Sequence, residues 1–292
     1  DVFFYNGEAA ADISFGDLLT DSYRLAARLA TGFSPSGQRP QLLNVATDGE
    51  NYGHHKKFGE LALAHALTQV LPQQGFQLTN YAAFLALAPP KMEVELALGQ
   101  AGEGSSWSCA HGVERWRSDC GCRVGGEQAW NQIWRAPLRQ ALDHLRDSMV
   151  VIFEKKGASL FKDPWKARDE FIRVVLDRSE KNVRRFMEEN FTGSAEETVT
   201  ALKLLEMQRN AMLMYTSCGW FFSEISGLET VKILEYAARA MEIVNELTGI
   251  NIEGDFKNRL NEAKSNLPKY KTGKGVYEKL VIPHKHLNIN QL

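Results

Sequence analysis

Cysteine is scarce in this chain, four residues in 292, which excludes a disulfide scaffold standing in for a hydrophobic core. Net charge is nearly absent as well. At -2, the balance argues against a nucleic-acid or membrane-surface binder that works through electrostatics. No apolar run approaches the roughly 20 residues of a transmembrane helix. The opening DVFFYNGEAAADISF has no basic start and no long apolar centre, so it does not read as a signal peptide. A cytoplasmic home is the default expectation, without nucleic-acid or membrane partners. An initiator Met is missing too, and the chain starts almost at once on the apolar run VFFY. The expectation is a portion of something longer. What remains, 44% hydrophobic and 24% charged residues, is ordinary for a globular protein with a sizeable core.

Organisation changes along the chain. In residues 1–96, VFFY (2–5), QLLNVA (41–46), FQLTN (76–80) and KMEVEL (91–96) read as strands. FGDLLTDSYRLAARLATGF (15–33), FGELALAHALTQVL (58–71) and YAAFLALA (81–88) read as helices between them. Such alternation predicts parallel strand/helix units, too few to close a barrel alone. Residues 97–126 are rich in glycine, serine, cysteine and tryptophan, with no visible period. An irregular stretch of that length is uncommon and usually functional. From 127 to 292 apolar residues recur at helical spacing, punctuated by the caps Asp163-Pro164, Ser194…Glu197 and Gly249. The fold class expected is mainly α: a few parallel strand/helix units followed by a helical bundle.

Titratable chemistry is densest at TDGENYGHH (47–55). Asp48, Glu50, His54 and His55 share eight positions with Gly49 and Gly53, just after the strand-like LLNVA. Ligands of parallel α/β folds sit at the carboxyl ends of strands, where Asp48 stands. The plainer alternative is that Asp48 only caps the next helix. That accounts for one acidic residue and not for the cluster.

ATDGENYGHHKKFGELALAHAL (46–67) resembles the fourth conserved motif of glycoside hydrolase family 57. With SSWSCAHGVERWRSDCGC (105–122) and YTSCGWFFSEISGLET (215–230), it is similar to a branch whose C-terminal region is catalogued as a domain of unknown function. The resemblance covers most of the chain. It implies a retaining α-glucan hydrolase or transglycosylase built on a seven-stranded βα barrel followed by a helical domain. Asp48 would be its general acid/base, and Glu50 a neighbour or a sugar ligand, with His54 and His55 beside them. A retaining enzyme needs a second carboxyl about 5 Å away. The family's nucleophile Glu belongs to an earlier barrel strand, and Asp1, Glu8, Asp12, Asp17 and Asp21 lack its motif. The expectation is therefore the C-terminal part of the enzyme, dependent on an upstream barrel of the same protein and inactive alone.

In 105–122, Trp107, His111, Glu114, Arg115 and Trp116 read as a glucan-binding lip, since sugars favour aromatic faces and forked polar groups. The alternative places tryptophans in the core, and it is the preferred reading for Trp130 and Trp134. No cofactor is required by the glycosidase reading. Even so, Cys109, His111, Cys120 and Cys122 offer a Cys3His set for zinc, at a spacing unlike the common CxxC knuckle. A disulfide, or simply reduced thiols beside a histidine, stay open. In 215–230 the resemblance implies that Trp220 and Glu224 face the substrate; a helix end with an aromatic plug is the plainer reading. His65, His144, His284 and His286 read as ordinary surface or core residues. Against the enzyme stand two other classes: a non-catalytic carbohydrate-binding or zinc-stabilised helical module, and a helical interaction protein.

Overall fold

The apolar stretch 15–33, expected as one helix, is interrupted by its own polar residues. In the computed structural model α1 spans Gly7–Phe15 and α2 spans Ser22–Ala30. Gly16 ends α1, where a Cβ would lie 2.5 Å from the Asp12 carbonyl oxygen. Asp21 then starts α2 by accepting from the backbone N–H groups of Tyr23 and Arg24. The structure describes residues 1–37, 39–98 and 102–283; His284 and His286 lie outside them. The chain divides into two units, Asp1–Glu95 and Leu96–Leu292.

In the first unit, α3 (Gly59–His65) runs through a π turn, Ala66–Val70, into α4 (Leu71–Gln73), and α5 spans Tyr81–Leu87. Its small core joins Ala9 and Ile13 to Leu25, Ala26 and Leu29 and to Ala66, Val70 and Leu71. The four segments expected as strands carry no ladder among the described residues. They lie outside any helix, and beside VFFY and LLNVA Asn6 N–H donates to Asn44 O at 2.8 Å and Asn44 Nδ2 to Phe4 O at 3.3 Å. Local apolar pattern selects extended backbone, but a sheet also needs neighbours for its N–H and C=O groups. The barrel portion expected from the sequence is thus not formed as a sheet here.

The second unit is helical. It contains α6 (Arg135–Leu160), α7 (Pro164–Glu170), α8 (Ile172–Leu176) and α9 (Glu180–Asn190). There follow α10 (Thr198–Leu213), the single turn α11 (Cys218–Phe221), α12 (Leu228–Thr248), α13 (Glu253–Leu260) and α14 (Gly273–Val276). Leu138, Ala141, Leu142, Leu145 and Met149 form the buried stripe of α6, at the spacing of a helix with one apolar face. On α12, Ala237, Ala238 and Ala240 are buried, and these small side chains let α10 lie close along it. Gly249 closes α12 at φ 72°, a left-handed value that favours glycine. Ser194 and Glu197 form the expected capping box. No helix among the described residues is long and apolar enough to cross a membrane.

Candidate functional site

The loop 47–55 is a pinned backbone with free side chains. Lys56 reaches back with Nζ to the carbonyl oxygens of Ile13 and Gly16. The hydroxyls of Tyr52 and Thr47 are bonded at 2.8 Å, and the buried Asn51 donates through Nδ2 to Ser14 Oγ and the Asp48 carbonyl. His55 N–H donates to Glu50 O at 2.8 Å. Phe58, just beyond, is held at φ 65°, a costly conformation for a bulky residue, of the kind that gathers at functional sites. Asp48 occupies the N-cap position of the 3-10 turn Gly49–Asn51, yet its carboxylate caps nothing. Asp48, Glu50, His54 and His55 are all exposed, the two imidazoles edge to face at 4.9 Å. A cavity of about 400 Å³ in this unit is lined largely by apolar residues, including Ile13, Leu29, Phe33, Leu43 and Phe76, and by none of those four.

In the second unit the irregular stretch from 102 onward is strapped to the bundle, and it meets the turn that contains the third motif. Ser223 is the clasp. Its hydroxyl accepts from Val124 N–H at 3.1 Å and faces the carbonyl oxygens of Val124 and Gly125 at 2.8 and 3.0 Å. Trp116 Nε1 donates to Ser217 O at 3.0 Å, and Arg115 Nη1 to Phe221 O at 3.3 Å. Asn266 ties the strap a second time, through Asn131 N–H and O.

Two thiol-bearing turns converge inside the strap. Cys109 receives the N–H groups of His111 and Arg115, while Cys120 receives that of Cys122. Gly112 (φ 79°) and Gly121 (φ 81°) make those turns tight enough. One ligand atom from each of Cys109, His111, Cys120 and Cys122 lies within 4.8 Å of the others. The Cys109 and Cys120 sulfurs are 3.9 Å apart, and Cys122 Sγ is 3.5 Å from His111 Nδ1. Tetrahedral zinc with Zn–S near 2.3 Å and Zn–N near 2.05 Å sets S···S at about 3.8 Å and S···N at about 3.6 Å. Those spacings match. The same sulfur separation shows that no disulfide is formed, and all four cysteines are free.

The electrostatics favour the same donor set. Burial pushes the Cys109 thiol up, but the N–H groups of His111 and Arg115 and the thiols of Cys122 and Cys120 outweigh it, bringing it down to about 7. Burial pushes its neighbour Cys120 up. Arg135, fully buried, makes no direct ion pair among the described residues, with Asp119 its nearby carboxylate, and donates to the carbonyl oxygens of Cys122, Phe221 and Phe222. Burial lowers its basicity, and the nearby Cys120 thiol opposes that. An unpaired buried cation is expensive. Three thiolates and an imidazole around a divalent ion carry one net negative charge, which would add to Asp119 in offsetting this guanidinium.

The remaining predicted residues separate by exposure. Trp107 is exposed, 6.2 Å from the Phe221 ring. Glu114 is bonded by Arg117 and Ser118, and Arg115 is buried beneath Phe221, its Nε without a partner. Trp220 is wholly buried with Nε1 on Arg135 O, and Glu224 is buried holding Ser265 Oγ and the Asn266 backbone. Contact with a substrate therefore does not fit Trp220 or Glu224: both side chains build the strap's seat. Trp134 is core, whereas Trp130 lies in a turn before α6 begins. His65 is exposed on α3 beside Ser22 Oγ, and His144 pairs with Asp255 on the surface of α6. Sequence reasoning missed Arg135 and Ser223. Nothing local marks a serine as a clasp, although an arginine beside Trp134 at the head of an apolar stripe was a signal.

No curated protein and no solved structure matches the chain. The family model described as Domain of unknown function (DUF3536) matches residues 130–291, more than half of the sequence. The chain belongs to that family.

Proposed function

We propose that this member of the DUF3536 family is the acid/base-bearing part of a retaining α-glucan-active glycoside hydrolase or transglycosylase, with Asp48 as the proton donor and acceptor. One observation carries the reading: the Asp48 carboxylate sits at a cap position and caps nothing, on a loop whose backbone is fixed from below. A carboxyl that the fold does not use, held on a rigid base, is what proton transfer to a leaving group requires. Glu50, His54 and His55 stand beside it, available to sugar hydroxyls. The segments expected as strands supply the context. Val2, Leu78, Met92, Val94 and Leu96 are exposed on backbone that has no ladder, and apolar unpaired strands call for β neighbours. In this reading an upstream barrel of the same protein provides them, together with the nucleophilic carboxyl.

The test is Asp48→Ala in the protein encoded by the complete reading frame. Turnover of α-glucan should fall by roughly 10²–10⁴-fold. For aryl glucosides with good leaving groups kcat/KM should be much less affected, because that quantity reports only the first step, in which such groups depart without a proton. Equal loss on both substrates, or no loss, would overturn the assignment.

A second reading rests on the spacing of the four ligand atoms around Cys109 and Cys120. In it, 102–126 is a zinc-stabilised strap on a helical module, and the ion is structural because four protein ligands close its shell. Metal analysis of freshly purified protein should find about one equivalent of zinc. A metal-free protein with an unchanged strap would end this reading and leave the first standing.

A further inference from the structure

A second pocket lies on the helical unit. It has a volume of about 340 Å³ and is bounded by α6, α7 and α10. Arg139, Arg146 and Val150 reach it from one stripe of α6, at i, i+7 and i+11. Arg168 and Trp165 enter from α7, Gln208 from α10 and Tyr215 from just beyond it.

The groups in this pocket that lack partners are donors. Arg139 Cζ lies over the rings of Tyr215 and Trp220, 5.0 and 5.2 Å from their centroids, with no carboxylate in ion-pair reach among the described residues. Gln208 is 97% buried, and its Nε2 has no hydrogen-bond partner. A buried amide left without an acceptor is destabilising, so its place in a native pocket needs an explanation. Arg146 and Arg168 lie over the rings of Tyr215 and Trp165, at 5.7 and 4.9 Å from the centroids. Their carboxylate partners Asp147 and Asp169 are largely exposed, and pairs of that kind are weak enough to be exchanged for a better anion. Two acids adjoin the lining residues and both are engaged: Asp143 by the Tyr215 hydroxyl at 2.6 Å and by Arg146 at 3.1 Å, and Glu154 by Trp165 Nε1 at 3.2 Å.

We propose that this pocket binds a phosphate monoester of a small organic molecule, with Arg139, Arg146 and Arg168 on the phosphate and the Gln208 amide donating to an ester or hydroxyl oxygen. Guanidinium forks match phosphate oxygens two at a time. The volume exceeds what an inorganic anion fills, and Val150 and Met212 give the organic part an apolar wall.

The experiment is calorimetric titration of the chain with inorganic phosphate and with glucose 1-phosphate, at ionic strength held constant with chloride. Both probes should bind saturably, the ester more tightly. Arg139→Gln should weaken both by at least about tenfold. Gln208→Leu should weaken the ester by about tenfold while leaving the melting temperature equal or higher, since the orphaned amide is gone. A merely structural glutamine would not separate affinity from stability in that way. No saturable heat with either probe, inorganic phosphate binding as tightly as its ester, or wild-type affinity in both variants would each overturn the proposal.

Discussion

The two loops that stand out in the sequence are built on opposite principles. In 47–55 the backbone is tied down through Asn51, Tyr52 and Lys56, while Asp48, Glu50, His54 and His55 point away with no duty to the fold. In the strap from 102 onward the side chains themselves are the ties: thiols converge, Glu114 holds Arg117, and Ser223 grips Val124. A loop of the first kind can change its chemistry without losing shape. A loop of the second kind cannot, because its reactive groups are its structure.

That contrast can be broken most sharply at the thiols. Cys120→Ser should abolish metal content, from about one equivalent to near none, and open 102–126 to proteolysis while the helices stay intact. Absence of metal from the wild type, with the strap equally resistant, would remove the contrast. Asp48→Asn comes next and has the opposite profile. If the proposed function holds, activity of the complete protein on α-glucan should fall by roughly 10²–10⁴-fold with stability within about 0.5 kcal/mol of the wild type, as measured by denaturant unfolding. Ser223→Ala leaves Val124 N–H without its acceptor and should cost about 1–3 kcal/mol, localised to the strap by hydrogen exchange. His55→Ala should be the mildest, within about 0.5 kcal/mol in stability.

Acidity sharpens the same comparison. The Cys109 thiol, lowered to about 7, favours its thiolate in the folded state. In metal-free protein that contribution is fully present above the ordinary thiol range and is lost as pH falls through about 7. Zinc affinity should weaken in the same direction, because the ligand must give up its proton. Competition with a chromogenic chelator across this interval would reveal a flat profile if the thiols are not ligands.

The helices were legible where sequence alone supplies the partner. On α6 and α12 the apolar stripe is continuous, and Ser194, Glu197 and Gly249 mark ends through bonds to residues a few places away. VFFY and LLNVA were not legible in the same sense, because extended backbone is local while a sheet partner is not. Loop 47–55 announced itself through composition. The second motif, by contrast, contains all four residues whose ligand atoms the fold gathers within 4.8 Å but said nothing of Arg135, which stands 13 positions beyond Cys122 and is covered by the turn around Phe221 and Phe222. Glu224 and Trp220 read as exposed chemistry because burial depends on what folds over them. Here Ser265 and Asn266 fold onto Glu224, while Trp220 packs on Tyr215 with its N–H on Arg135 O.

The placement of indoles makes the molecule its own optical reporter. Trp134 and Trp220 are sealed in the bundle with their N–H groups on the carbonyl oxygens of Ser223 and Arg135, whereas Trp107 stands in water two residues before Cys109. Emission from Trp107 belongs at the red edge of the spectrum and is open to collisional quenchers, and emission from the buried pair is neither. Closing or opening of the thiol turns would therefore register as a change in one colour of the protein's own fluorescence, with the other serving as an internal standard.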